Sequence, residues 1–269
     1  MIPTLVIGRA GSTGYPEKNI QPIFGRPMMQ YPILAAQNSK LADPEHLYLS
    51  TDCYKMKELG KSFGCKLLDR PDYLATNEAL AEDAFRHGFE AINEMVGEEV
   101  EMIVLLFCNG VTITPGIIDQ GIEAMRADES LDCASTVSCY NMWSPLRAKR
   151  INEDGLIEPF IEENFWQEVS CDRGSQGDVF FADCSAFVSR PRCMVEGYGY
   201  MPFGWMGKKV FPLKQWGGLD VDITRTVSLT RVSRVTQSTA EKRGSSVTRS
   251  HHASREFCHA MRLTSHAIF

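Results

Sequence analysis

The nine cysteines of this 269-residue chain include no C-x-x-C pair, which sets aside the common zinc-ribbon and dithiol patterns. An odd, scattered set fits buried, reduced thiols rather than a disulfide framework, and so a cytosolic compartment. Long apolar runs are missing too. The longest, Met102 to Cys108, falls far short of the ~18 residues of a membrane span. No basic segment precedes the first apolar stretch, so a signal peptide is not expected. An excess of positive charge is also lacking: the net formal charge is −6, which argues against general nucleic-acid binding. His46 and His87 have no metal-ligand spacing and read as surface or core residues.

The charge is divided unevenly. Residues 223–269 contain seven Arg and one Lys against two Glu, a net +6, leaving the rest of the chain with 20 basic and 32 acidic residues, a net −12. Fifteen of the 47 tail residues are Ser or Thr, four of the six His lie there, and Pro and Trp are absent from it. Its apolar periodicity is poor, so the expectation is a basic Ser/Thr-rich tail that does not pack. It is either a genuine segment for acidic partners or an end joined out of frame. The body, residues 1–222, is long enough for one sizeable core, and a hydrophobic fraction of 43% is that of an ordinary globular protein.

What is present at the start of the chain is specific. The apolar run Leu5-Val6-Ile7 empties into Gly8-Arg9-Ala10-Gly11-Ser12-Thr13-Gly14-Tyr15-Pro16-Glu17-Lys18-Asn19. Glycines let backbone N–H groups approach phosphate oxygens, and the Arg and Lys neutralise their charge. Glycines at 8, 11 and 14 do not fit the dinucleotide fingerprint, and no Gly-Lys-Ser/Thr follows as in a Walker loop.

Farther along, short apolar runs alternate with amphipathic ones. Leu5–Ile7, Leu47–Leu49, Lys66–Leu68 and Met102–Phe107 read as strands. A helix is expected to open at Arg26-Pro27 and include Tyr31, Ile33 and Leu34, with Pro32 in its first turn. Lys55–Phe63 reads as a helix closed by Gly64, and Ala79–Met95 has helical spacing. Strands separated by helices of this length predict βαβ units and a mainly parallel sheet. Ligands bind beyond the carboxyl ends of such strands, where Arg9, Asp52 and Asn109 fall. Ala134–Ser138 and Val179–Val188 are two further strand candidates. The aromatic stretch between them, residues 139–178, reads as a lid or a dimerisation arm. Gly204-Trp205-Met206-Gly207 and Trp216 read as core.

Several blocks, in order, resemble the acylneuraminate cytidylyltransferase family. They are Arg9-x-Gly11-Ser12-x-Gly14-x-Pro16-x-Lys18-Asn19, Gly25-Arg26-Pro27-Met28 with Tyr31, Ser50-Thr51-Asp52, Arg70-Pro71-x-x-Leu74-Ala75-Thr76 and Gly218-Leu219-Asp220-Val221-Asp222. The resemblance covers residues 1–222. It implies a Rossmann-like nucleotide-diphospho-sugar transferase fold, an α/β architecture with a mainly parallel, mixed sheet flanked by helices. It also implies transfer of CMP from CTP to an acidic keto-sugar with Mg²⁺, release of pyrophosphate, and a homodimer with no membrane or nucleic-acid partner. An eight-carbon acid such as Kdo as the acceptor, or a non-catalytic nucleotide-binding relative, are the alternatives.

The departures concern chemistry. Thr13 stands where these enzymes usually carry Lys. Phe107 replaces the Gln that helps bind the acyl sugar, and residues 77–82 lack the family's serines.

The candidate residues follow from the motifs. Arg9 and Lys18 are assigned to the triphosphate and the leaving group, with Gly8, Ala10, Gly11 and Ser12 as the cradle. Asn19 either contacts the nucleotide or caps a turn. Asp52 holds the nucleotide, orders the cradle or caps a helix. Arg70 is either a nucleotide contact or a surface ion-pair member. Asn109, Arg173 and Gln176 are assigned to the sugar, with a solvated loop as the other reading of 171–177. Asp220 and Asp222, at i and i+2 of an extended segment, project to one side. Such a pair suits Mg²⁺, which takes one or two carboxylates plus phosphate oxygens. Asp222 is also a catalytic candidate.

Overall fold

The computed structural model describes residues 1–11, 14–161, 170–215 and 218. In chain order the elements are β1 (Thr4–Ile7), β2 (Pro22–Ile23), β3 (Arg26–Pro27), α1 (Gln30–Gln37), β4 (Leu47–Thr51), α2 (Tyr54–Ser62), β5 (Lys66–Asp69), α3 (Ala81–Val96), β6 (Ile103–Phe107), α4 (Pro115–Ala127), β7 (Cys133–Cys139), β8 (Lys149–Ile151), β9 (Ile157–Pro159), β10 (Phe180–Ser189) and β11 (Val210–Gln215). Seven of the strands form one sheet in the order β11-β7-β10-β6-β1-β4-β5. The pairs β1/β4, β1/β6, β4/β5 and β7/β11 are parallel, and β10 runs antiparallel to both its neighbours. Six strands therefore end at one edge, and β10 begins there.

Alternation along the strands sorts side chains to two faces. Val6, Leu49, Val104 and Leu106 pack under Ile33 of α1, Met56 of α2 and Ile118 and Ile122 of α4. Leu5, Ile7, Ile103 and Leu105 face Phe85, Phe89 and Ile92 of α3, together with Trp205. β6 carries nothing polar because both its faces are covered, and Ile103 to Leu106 are completely buried. Each such side chain contributes about 1.5–3 kcal/mol by leaving water. The result is a helix–sheet–helix sandwich with mixed strand direction, the expected architecture.

The first helix differs from expectation. Arg26-Pro27 does not open it but pairs with Pro22–Ile23 in a small ribbon. Phe24 and Gly25, both at positive φ, make the turn between them, as a two-residue hairpin requires. The helix starts at Gln30, and Pro32 sits in its first turn, where a missing N–H costs little. The Gly64 stop is as expected, at φ +82°. α4 and β11 had no counterpart in the sequence reading. Of the cysteines, Cys65, Cys108, Cys133 and Cys193 are buried, but Cys139 and Cys171 are exposed, so burial does not extend to all of them. Trp205 is core as expected; Trp216 lies outside the described residues. No helix among the described residues is long and apolar enough to cross a membrane.

The chain leaves the sheet at β7 and returns at β10, with the Tyr140 amide donating to the Val179 carbonyl at 3.0 Å. Within that excursion β8 and β9 pair as a short hairpin. Met142, Trp143, Ile151, Leu156, Ile157 and Phe160 are exposed there. The boundary at 222 and the tail lie outside the described residues.

Candidate active site

The glycine loop leaves β1 at the carboxyl edge. Gly8 donates its amide to the Ser50 carbonyl of β4 at 3.2 Å. A Cβ at this position would sit 2.7 Å from Cys108 Sγ, 2.7 Å from Met56 Cε and 2.9 Å from Asn19 Nδ2, so only glycine fits. Two residues on, the Ala10 amide donates to Asp52 Oδ1 at 2.9 Å. The residue at the N-cap of α2 is Cys53. Of the three roles open to Asp52, the geometry realises the second: it orders the cradle.

Asn19 is buried, and its Nδ2 donates to the Arg9 carbonyl at 3.3 Å. Its side chain closes the loop's two ends on each other rather than capping a turn. Asn19 Oδ1 is buried with no partner among the described residues. A buried acceptor without a donor is costly. The Arg9 guanidinium donates to the Thr76 carbonyl at 3.1 Å and to Asn77 Oδ1 at 2.7 Å. The glycine loop is thereby joined to the Arg70–Thr76 motif. Lys18 lies in a short 3-10 turn after Glu17.

Arg70 is buried at 8% exposure and is no surface ion pair. Its Nε and Nη2 donate to Ser50 Oγ at 3.3 Å and to the Ser50 carbonyl at 3.1 Å. Burial pulls its pKa down, opposed by Cys108 and Asp52. Burial also pushes the Cys108 thiol well above its ordinary range, so it stays neutral under Gly8. Gly8, Arg9, Ala10, Asn19, Asp52 and Arg70 thus form one connected group, with Gly11 continuing the loop.

Asn109 is buried in the turn that ends β6, where the Gly110 amide bonds the Phe107 carbonyl at 3.0 Å. The Phe107 ring lies 5.2 Å from Phe85 and 6.3 Å from both Phe187 and Trp205, edge-on. The backbone of Arg173–Gln176 forms a 3-10 turn held locally by Asp172 and Ser175. Gln176 Oε1 is buried and unpartnered among the described residues. Ser12, Asp220, Asp222 and the Arg173 side chain lie outside the described residues.

A second cluster at the same edge escaped the sequence reading. Asp183, 6% exposed, lies where the β10–β7 register shifts between Ala182 and Phe187. Cys184 beside it is at φ 55°, a strained conformation for a non-glycine residue. Asp183 Oδ2 accepts from Ser138 Oγ at 2.7 Å and from Gln215 Nε2 at 2.8 Å, and Oδ1 accepts the Ser185 amide at 3.2 Å. The signal in the sequence was a single charged residue in a strand whose other members are apolar or serine.

Residues 4–141, just over half of the chain, match the family model described as Cytidylyltransferase. A Helicobacter pylori protein named pseudaminic acid cytidylyltransferase and UDP-2,4-diacetamido-2,4,6-trideoxy-beta-L-altropyranose hydrolase is 27% identical over 161 residues, 60% of this chain and 30% of that protein. An N-acylneuraminate cytidylyltransferase of Oncorhynchus mykiss is 23% identical over 240 residues, 87% of this chain and 50% of that protein. The chain spans half or less of the length of these relatives. Among solved structures, a CMP:2-keto-3-deoxy-manno-octonic acid synthetase complexed with CTP superposes with a TM-score of 0.62 at 15% identity, covering 88% of this chain and 99% of that one. That likeness is one of fold. The order of the motifs, the loop at the end of β1 and the matched family model agree: the chain belongs to the cytidylyltransferase family.

Proposed function

We propose that this protein transfers CMP from CTP to the anomeric hydroxyl of an acidic keto-sugar, releasing pyrophosphate. The carrying observation is the loop after β1, whose Ala10 amide is fixed by Asp52 and whose carbonyl at Arg9 is held by buried Asn19. Backbone fixed at Arg9 and Ala10 before a ligand arrives needs little binding energy to be ordered there. Arg9 and Lys18 hold the triphosphate and stabilise the leaving pyrophosphate. Charge-assisted bonds of this kind contribute about 1.5–3 kcal/mol each. Gly8, Ala10, Gly11 and Ser12 approach the phosphates, while Asn19 and Arg70 hold the nucleoside side.

Asp220 and Asp222 are hard-oxygen donors of the kind that Mg²⁺ takes. When bound it would neutralise phosphate charge and order the leaving group. Among the described residues no group of three or more His, Cys, Asp and Glu side chains could hold a metal.

Asn109, Arg173 and Gln176 bind the sugar acid, an Arg fork matching its carboxylate. Pseudaminic acid and N-acylneuraminate, named for the two relatives, support that substrate class. Phe107, whose ring packs against Phe85, Phe187 and Trp205, supplies no amide to the acceptor. The exposed apolar residues of the 139–178 excursion support a homodimer arm, and light scattering at micromolar concentration checks it.

The deciding experiment measures thermal stabilisation by CTP with Mg²⁺ against ATP, GTP and UTP, then pyrophosphate release with a panel of nine- and eight-carbon sugar acids. A CTP-selective rise with release for one acceptor class is the expected result. CTP binding with no release for any acceptor would point to a non-catalytic relative, and release with Kdo alone to the eight-carbon reading.

A further inference from the structure

We infer that Asn77 is a positioning residue for Arg9: its side-chain oxygen, together with the Thr76 carbonyl, fixes the Arg9 guanidinium so that one edge of the fork is kept for the phosphates of CTP. The inference rests on the function proposed above. Both bonds, 3.1 Å to the Thr76 carbonyl and 2.7 Å to Asn77 Oδ1, are donated by Nη1. That nitrogen has two hydrogens and is thereby satisfied. Among the described residues, Nε and Nη2 of Arg9 have no hydrogen-bond partner. Three N–H donors on one side of a rigid plane stay open, the side-on arrangement that meets two oxygens of an anion at once.

The hold is anchored to the same point as the glycine loop. Arg70 binds the Ser50 hydroxyl and carbonyl, and that carbonyl also accepts the Gly8 amide. From Arg70 the chain runs into a 3-10 turn, Asp72–Leu74. The Leu74 amide closes the turn on the Pro71 carbonyl at 2.9 Å, and the buried Leu74 side chain pins it. Thr76 and Asn77 follow just beyond. The backbone of Arg9 is set by its neighbour Gly8 and by Asn19, and its side chain by Thr76 and Asn77, so both ends of the residue are referred to Ser50 of β4. A hold is needed here because two guanidiniums repel. Burial is the main cause of the lowered Arg70 pKa, and the charge of Arg9 adds to it. An untethered Arg9 would turn away from that buried cation into water.

The test uses the full chain and reads nucleotide affinity by isothermal titration calorimetry, alongside pyrophosphate release. Asn77 is exposed, so truncating it leaves the core untouched. Asn77→Ala is expected to weaken CTP affinity by about three- to tenfold. Affinity for CMP, which lacks the β- and γ-phosphates, stays within about twofold, because the hold serves the triphosphate alone. Asn77→Asp keeps an acceptor of the same reach and recovers most of the loss. In an Arg9→Ala background, Asn77→Ala adds less than about twofold, because the group it positions is already gone. Unchanged CTP affinity in Asn77→Ala, an equal loss for CTP and CMP, or an undiminished effect in the Arg9→Ala background overturns the inference. Should the expected affinities be found with no pyrophosphate released for any acceptor, the transferase reading fails and the hold on Arg9 stands. A wild type that binds neither nucleotide overturns both.

Discussion

Asp52 accepts the backbone N–H of Ala10 across 42 residues of sequence, at 2.9 Å. This bond couples the end of β4 to the loop leaving β1. Replacing Asp52 by Ala removes the acceptor, and a lost bond of about 1 kcal/mol predicts a roughly fivefold rise in KM for CTP. Asp52→Asn retains a side-chain oxygen and recovers most of the loss. Steady-state kinetics on the pair checks this, and equal defects in both would assign Asp52 a direct charge role instead.

Arg9 is the cation at the mouth of the loop. Arg9→Ala is expected to lower kcat/KM for CTP more than about tenfold, since one charge-assisted contact of ~1.5 kcal/mol is lost. A change within threefold would remove Arg9 from the triphosphate site.

Gly8 faces Cys108, Met56 and Asn19 with no room for a methyl group. Gly8→Ala overpacks this spot and should cost about 1–3 kcal/mol in urea unfolding. All three clashes are with side-chain atoms, and truncation relieves the one with Cys108 Sγ, so adding Cys108→Ala returns part of the loss.

Asp132 supplies a pH prediction. Burial pushes its carboxyl up, but the amides of Lys209 and Lys208, the Arg192 guanidinium and the Tyr198 hydroxyl outweigh that and hold it at about 2, below its ordinary 3.8. A depressed folded-state pKa contributes stability present above the unfolded value and lost as pH falls through the folded one. The window is therefore between about pH 4 and pH 2, and the contribution is about 2 kcal/mol. Melting curves of wild type and Asp132→Asn should differ most at neutral pH and converge toward pH 2. A gap that does not change with pH would mean the residue acts by packing alone.

Much of this architecture was legible in the sequence, for identifiable reasons. β1, β4 and β6 announce themselves because both their faces are buried, so their residues are apolar without a break until the polar residue that ends each. Arg9, Asp52 and Asn109 could be placed at one edge on that basis alone. α1 was misplaced because Phe24 carries a left-handed turn without being glycine, leaving no local signal for the β2–β3 ribbon. β11 was missed because Pro212 interrupts its apolar pattern, which an edge strand tolerates. The Asp183 cluster was illegible for a deeper reason: its partners are 45 and 32 residues away, and no local pattern records a meeting of that kind.

The reversed direction of β10 has a consequence for how such proteins diversify. Because β7 ends beside the start of β10, the excursion between them departs and returns at a single point, closed by the Tyr140–Val179 bond. Lengthening such a loop costs little, since closure entropy grows only with the logarithm of its length. The stretch can therefore be exchanged or extended as a cassette while every sheet pairing stays in register. A lineage holding this scaffold constant can vary that edge of the molecule by rewriting the cassette alone, Arg173 and Gln176 within it included.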